Sequence, residues 1–212
     1  MRLEGEAKKV NFGVVVLVSG EGTNLQHLID HQKQLNFELL AVIADRDCYA
    51  LERAKKAKIA FTKFDSRKNS PQDNQQNSQT LSQKIAEFLA KDKFKEKINL
   101  VILAGFLSIL SEQMLTPFEG KIINSHPSLL PLYGGSGMYG LHVHKAVLKD
   151  GCKETGCSIH HVNSTIDGGK VILQKTIAIN ADETPQSMQK KVQAKEREAL
   201  LEVITKFKRN SL

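Results

Sequence analysis

Residues 124–131 read Asn-Ser-His-Pro-Ser-Leu-Leu-Pro, and a second polar cluster, Ile166-Asp167-Gly168-Gly169, lies downstream. The first segment follows the apolar run Lys121-Ile122-Ile123, so Asn124 and His126 are expected where a short strand ends. Side chains two apart on an extended chain point the same way. An amide donor beside an imidazole suits acyl-type transfer, in which negative charge develops on a carbonyl oxygen. A carboxylate brought in by the fold would fix the imidazole tautomer and favour its protonated form. Asn and His alone read better as polar caps on a strand-end turn, with the prolines stiffening a loop. Asp167-Gly168-Gly169 alone reads as a hairpin turn. The complete string, together with the Asp-Gly-Gly cluster, favours chemistry.

Other segments supply candidate binding groups. Ser19-Gly20-Glu21-Gly22-Thr23-Asn24 joins an apolar run to an amphipathic one. Its glycines let backbone amides approach an anion, and the helix N-terminus adds partial positive charge. The segment lacks the third glycine of a dinucleotide fingerprint and the Lys-Ser/Thr ending of a P-loop. A phosphate cradle and a tight turn capped by Thr23 or Asn24 are both compatible with it. Ala104-Gly105-Phe106-Leu107-Ser108-Ile109-Leu110-Ser111 offers either an apolar wall for a flat heterocycle or ordinary core. His142 and His144 flank Val143; on a helix they lie about 200° apart, which argues against a shared metal and for a substrate-facing role for one of them. Of His160 and His161, on a predicted strand, one is expected to face the core.

These residues must be carried by a regular scaffold. Strand signals occur at 12–18, 39–44, 59–64, 100–104 and 121–124, with helical patterns from about Asn24 and over 51–57. The polar segment 66–80 predicts a loop leading into a helix over 80–94, and the charge run 91–97 a solvated helix face. Residues 157–162 and 171–179 predict an antiparallel hairpin, followed by a helix over 184–207 with Met188, Val192, Leu200 and Val203 on its apolar side. The alternation predicts an α/β fold: a doubly wound, mostly parallel sheet with helices on both faces and partly antiparallel C-terminal strands. Such sheets bind ligands beyond the C-terminal ends of their strands.

Composition narrows the classes. The 212 residues suit one domain, 1–212, with ordinary hydrophobic (41%) and charged (25%) fractions. No apolar run reaches membrane-spanning length, and the charged N-terminus lacks a signal region. Cys48, Cys152 and Cys157 form neither a metal pattern nor an even set, so the expected location is cytoplasmic. The net charge of +7 favours anionic partners. Dispersed lysines, the absence of Trp and the lack of a helix-turn-helix or zinc pattern point to phosphorylated metabolites or polyglutamate tails, with no nucleic acid and no membrane.

Taken in order, Ser19-Gly-Glu-Gly-Thr-Asn-Leu-Gln, Leu51-Glu-Arg-Ala, Leu103-Ala-Gly-Phe, Asn124-Ser-His-Pro-Ser-Leu-Leu-Pro, Gly140-Leu-His-Val-His, Ile166-Asp-Gly-Gly and Val192-Gln-Ala-Lys-Glu resemble the folate-dependent formyltransferase family over nearly the whole chain. The resemblance implies a Rossmann-like formyltransferase fold. The activity implied is transfer of the formyl group of the co-substrate 10-formyltetrahydrofolate to the amine of phosphoribosylglycinamide in purine biosynthesis, without metal, by a monomer or homodimer. It makes Asn124, His126 and Asp167 catalytic. Gly20, Glu21, Gly22, Thr23 and Asn24 would hold the phosphate, and Glu196 would contact the ribose. Arg67 would lie near the folate, with Leu107, Ser108, Ile109, Leu110 and Asn124 around the pterin. The N-terminal half would bind the phosphoribosyl substrate and the C-terminal half the folate. Relatives acting on methionyl-tRNA carry a further C-terminal domain, and deformylases an N-terminal one, so a small phosphorylated acceptor is expected. Two departures stand out. Ser108 replaces an arginine common in the family, and the 133–139 loop is longer than the commoner Tyr-Pro-Gly, its glycines predicting a mobile flap.

Overall fold

The computed structural model describes residues 12–65 and 74–209. Gly13–Val18 (β1), built from β-branched residues, is buried along its whole length. Around it lie Glu38–Ala44 (β2), Phe61–Lys63 (β3), Ile98–Leu103 (β4), Ile122–His126 (β5), Glu154–His161 (β6) and Val171–Ala178 (β7). They form one seven-stranded sheet in the order β3-β2-β1-β4-β5-β6-β7. The first five strands run parallel, while β6 and β7 pair antiparallel, as the alternation and the hairpin signal predict.

The period-two alternation of β1 divides the core. Val14, Val16 and Val18 pack with Thr23–Leu35 (α1), Tyr49–Lys56 (α2), Leu141–Lys149 (α6) and Pro185–Lys208 (α7). Val15 and Leu17 pack on the other face with Asn74–Leu89 (α3), Asp92–Lys95 (α4) and Glu112–Leu115 (α5). The long α7 starts at a capping box in which Thr184 and Ser187 satisfy each other's backbone amides, with Pro185 inside the first turn.

Three boundaries differ from the sequence reading. α3 begins at Asn74, inside the segment expected to be loop, and ends at Leu89 rather than continuing to residue 94. Its polar residues earn helical positions by binding the neighbouring loop: Ser78 Oγ donates to the Ile109 carbonyl (2.8 Å), and Ser82 Oγ accepts from Ser111 N (2.9 Å). The charge run holds only the short α4, whose Phe94 is buried. β5 extends to His126, so both candidate catalytic residues lie on the strand itself.

Candidate active site

A cavity of about 600 Å³ opens beyond the C-terminal ends of β1, β4 and β5. Here the chain turns from β1 toward β2 on one side and crosses to β4 on the other, the switch point at which open α/β sheets bind ligands. Its lining brings together the Gly20–Asn24 turn, Phe106–Leu110, Asn124, His126 and Asp167.

Antiparallel register builds the centre. Asn124 on β5 stands opposite His160 on β6, and the Asn124 amide nitrogen lies 3.1 Å from His160 Nε2. His160 Nδ1 donates to the His161 carbonyl at 2.8 Å, which leaves Nε2 to accept from the amide. The same amide has a longer, 3.5 Å approach to Asp167 Oδ1. His126 Nε2 donates to the Tyr133 carbonyl at 2.7 Å, so Nδ1 is the nitrogen presented to Asp167 Oδ2, 3.4 Å away. Asp167 adopts a positive φ of 53° in the Ile166–Gly169 turn and accepts the Gly135 backbone N–H at 2.9 Å.

Burial sets the charges. It holds His126 below the ordinary imidazole value, partly countered by the charge of Asp167 and the Tyr133 carbonyl. Burial would raise the Asp167 pKa, but the His160 contact, His126 and the Gly135 N–H together leave it lowered, so the carboxylate is ionised near neutrality. Near neutral pH these shifts pair an ionised Asp167 with a neutral His126, rather than the imidazolium that the sequence reading favours.

Also on the lining, Gly22 is the N-cap of α1, with a φ of 70° that favours glycine. Neither Thr23 nor Asn24 is the cap, and no side chain caps this helix, which leaves backbone donors of its first turn to other partners. Asn24 Oδ1 is buried without a hydrogen-bond partner among the described residues. A Cβ on Gly22 would stand 2.6 Å from Ala50 Cβ, whereas one on Gly20 would meet nothing within 4 Å. Gly22 is thus demanded by packing against α2, and Gly20 faces the cavity.

Glu196 lies on the buried stripe of α7, four residues beyond Val192, and is only 7% exposed. It lines the cavity and accepts from Ser125 Oγ at 2.7 Å; burial pushes its pKa up to about 7. Leu107 and Ile109 are 48% and 56% exposed, an apolar surface on the cavity wall. Ser108, also on the cavity lining, donates through its Oγ to Asp45 Oδ2 at 2.6 Å. Arg67 lies outside the described residues.

The chain as a whole matches a known family. The formyl transferase pattern covers residues 12–204. The chain belongs to the formyl transferase family. Among its relatives, phosphoribosylglycinamide formyltransferase of Escherichia coli is 36% identical over 191 residues, 86% of this chain and 81% of that protein. The chloroplastic phosphoribosylglycinamide formyltransferase of Arabidopsis thaliana is 31% identical across 90% of this chain, which spans 63% of that relative's length. The crystal structure of glycinamide ribonucleotide transformylase 1 from Symbiobacterium toebii superposes with a TM-score of 0.78 at 32% identity, covering 92% of this chain and 86% of that one.

The cavity also contains residues that sequence reasoning did not assign. His160 was legible only as one of two adjacent histidines; strand register selects it. His144 is buried and lines the cavity, its Nδ1 unpartnered among the described residues, while His142 is exposed against Tyr139, as their separation around α6 predicts. The Tyr133 carbonyl carries no side-chain signature at all. No group of three or more His, Cys, Asp and Glu side chains among the described residues is arranged to hold a metal ion, and no described helix is long and apolar enough to cross a membrane.

Proposed function

We propose that this chain transfers the formyl group of 10-formyltetrahydrofolate to the amine of phosphoribosylglycinamide, acting as one formyltransferase domain. The observation that carries the reading is the convergence of Asn124, His126 and Asp167 in one cavity, between a glycine turn at a helix N-terminus and an exposed apolar wall. The phosphate would lie on the backbone amides of Gly20–Asn24, with the ribose toward Glu196 and the pterin against Leu107–Leu110.

The neutral amine attacks the formyl carbon, and the carbonyl electron pair moves onto oxygen. Asn124 donates to that oxyanion through the amide hydrogen not held by His160. His126 can serve it only through Nδ1, because Nε2 is committed to Tyr133. Negative charge on the oxyanion raises the affinity of the neutral imidazole for a proton, and Asp167 stabilises the resulting imidazolium. The proton lost by the amine passes by way of Asp167 and His126 to the folate nitrogen as its bond to the formyl carbon breaks. The products are the formamide and tetrahydrofolate, with no covalent enzyme intermediate. The expected setting is the cytoplasm, as a monomer or homodimer, without nucleic acid or membrane partners.

The decisive assay follows folate absorbance with and without phosphoribosylglycinamide. Release of tetrahydrofolate only when the amine is present supports the transferase reading. Release without the amine indicates a deformylase, and no release in either case overturns the reading.

A further inference from the structure

Asp45, the first residue after β2, carries a fully buried carboxylate that the reaction does not use. Arg46 binds it through two contacts, Nε to Oδ1 at 2.9 Å and a terminal guanidinium nitrogen to Oδ2 at 2.8 Å. Ser108 Oγ reaches Oδ2 at 2.6 Å, and the Ser19 hydroxyl is a further hydrogen-bond partner. Ser19 Oγ in turn accepts the backbone N–H of Leu107 at 2.8 Å. The sheet order explains the meeting: β2 lies beside β1, and β1 beside β4, so the ends of three adjacent strands come together. Burial alone would raise the Asp45 pKa, but the hydrogen bonds from Arg46, Ser108 and Ser19 leave it lowered, so the group is a fixed negative charge.

Leu107 and Ile109 need such an anchor. Both expose apolar side chains to the cavity, between Phe106 and Leu110, which pack into the core. Ser108 stands between them with its hydroxyl on the carboxylate. Hydrogen bonds at Leu107 N and Ser108 Oγ, together with the Ser78 hydroxyl on the Ile109 carbonyl, hold the segment.

We infer that Ser108, through Asp45 and Ser19, is a positioning residue that holds the Leu107–Ile109 wall in place to receive the flat heterocycle of the folate. Arg46 is a cation beside the carboxylate, and residue 108 supplies a hydroxyl tether. The inference rests on the formyl-folate reading of the cavity.

The test compares wild type, Ser108→Ala and Ser108→Thr, the last keeping the hydroxyl. Loss of one hydrogen bond to a charged group predicts a rise of about tenfold in KM for 10-formyltetrahydrofolate in Ser108→Ala, while KM for the amine moves less than about twofold and Ser108→Thr restores the wild-type value. An unchanged folate KM in Ser108→Ala would overturn the inference. So would both KM values rising together with a lowered melting temperature, which marks a merely structural role. Should wild type show no turnover, the functional reading fails separately. Tetrahydrofolate binding by the same three proteins then decides: weaker in Ala and restored in Thr supports the tether, and equal or absent binding in all three sinks it.

Discussion

Asp167 Oδ2 is shared between two partners, the backbone N–H of Gly135 at 2.9 Å and Nδ1 of His126 at 3.4 Å. One carboxylate oxygen thus connects His126 on β5 to the glycine-rich 133–139 loop. The longer distance is to the nitrogen that gains a proton in the proposed reaction, and charge on that nitrogen would draw the pair together.

Asp167→Asn preserves the size of the side chain and an oxygen for Gly135 while removing the charge that stabilises an imidazolium. Turnover is expected to fall by about 100-fold or more with the melting temperature little changed. Near-normal kcat would remove Asp167 from the mechanism.

Asn124→Ala removes the amide donor. A loss of about 2.7–4 kcal/mol of transition-state stabilisation is expected, read as kcat/KM for formyl transfer. Because the same amide hydrogen-bonds His160, the variant needs a circular dichroism control. A kcat/KM close to wild type would mean that the oxyanion is held elsewhere.

The two turn glycines separate packing from binding. Gly22→Ala places a Cβ against Ala50 at a positive φ and should cost about 1–3 kcal/mol in urea unfolding. Gly20→Ala meets no protein atom and should leave stability intact while raising KM for the phosphorylated amine. Equal unfolding midpoints for the two variants would contradict this division.

Glu196 predicts a pH-dependent stability. Its pKa is raised from 4.5 to about 7, so between these values the folded state holds the extra proton. The associated stability is complete below pH 4.5 and is lost as pH rises through about 7. Glu196→Gln, neutral at every pH, should match wild type near pH 4.5 and exceed it above pH 7 by up to about 3 kcal/mol. Urea midpoints measured at pH 5 and pH 8 check this; a difference that does not grow with pH refutes it.

His144 acts with the opposite sign. Burial, with the charge of His126 adding to it, lowers its pKa from 6.5 to about 4, so acidification protonates the unfolded chain first. Stability should fall between these values by up to roughly 3 kcal/mol, and His144→Gln should flatten that slope. An identical acid profile in the variant would show that other groups govern it.

Much of this protein is legible along the chain because the signals are local. The β-branched run of β1 and the helical spacing of Met188, Val192, Leu200 and Val203 follow from backbone geometry and burial, and they convey the α/β class, the antiparallel end of the sheet and the place of the site at the strand ends. Asn124 and His126 are two apart on one strand, so their common direction is visible from spacing alone. Glu196 falls on the apolar stripe of α7, and that spacing already marks it as buried. The rest depends on contacts between distant segments. Strand register decides that His160, rather than His161, meets Asn124. Closure of the 133–139 loop brings a carbonyl to His126 and thereby chooses its tautomer. Polar partners on a neighbouring loop turn residues 74–80 into helix despite their lack of apolar anchors. Burial and hydrogen bonding, which exist only once the chain is folded, hold His126 neutral and Asp167 ionised, and they join Ser108, on the cavity lining, to Asp45.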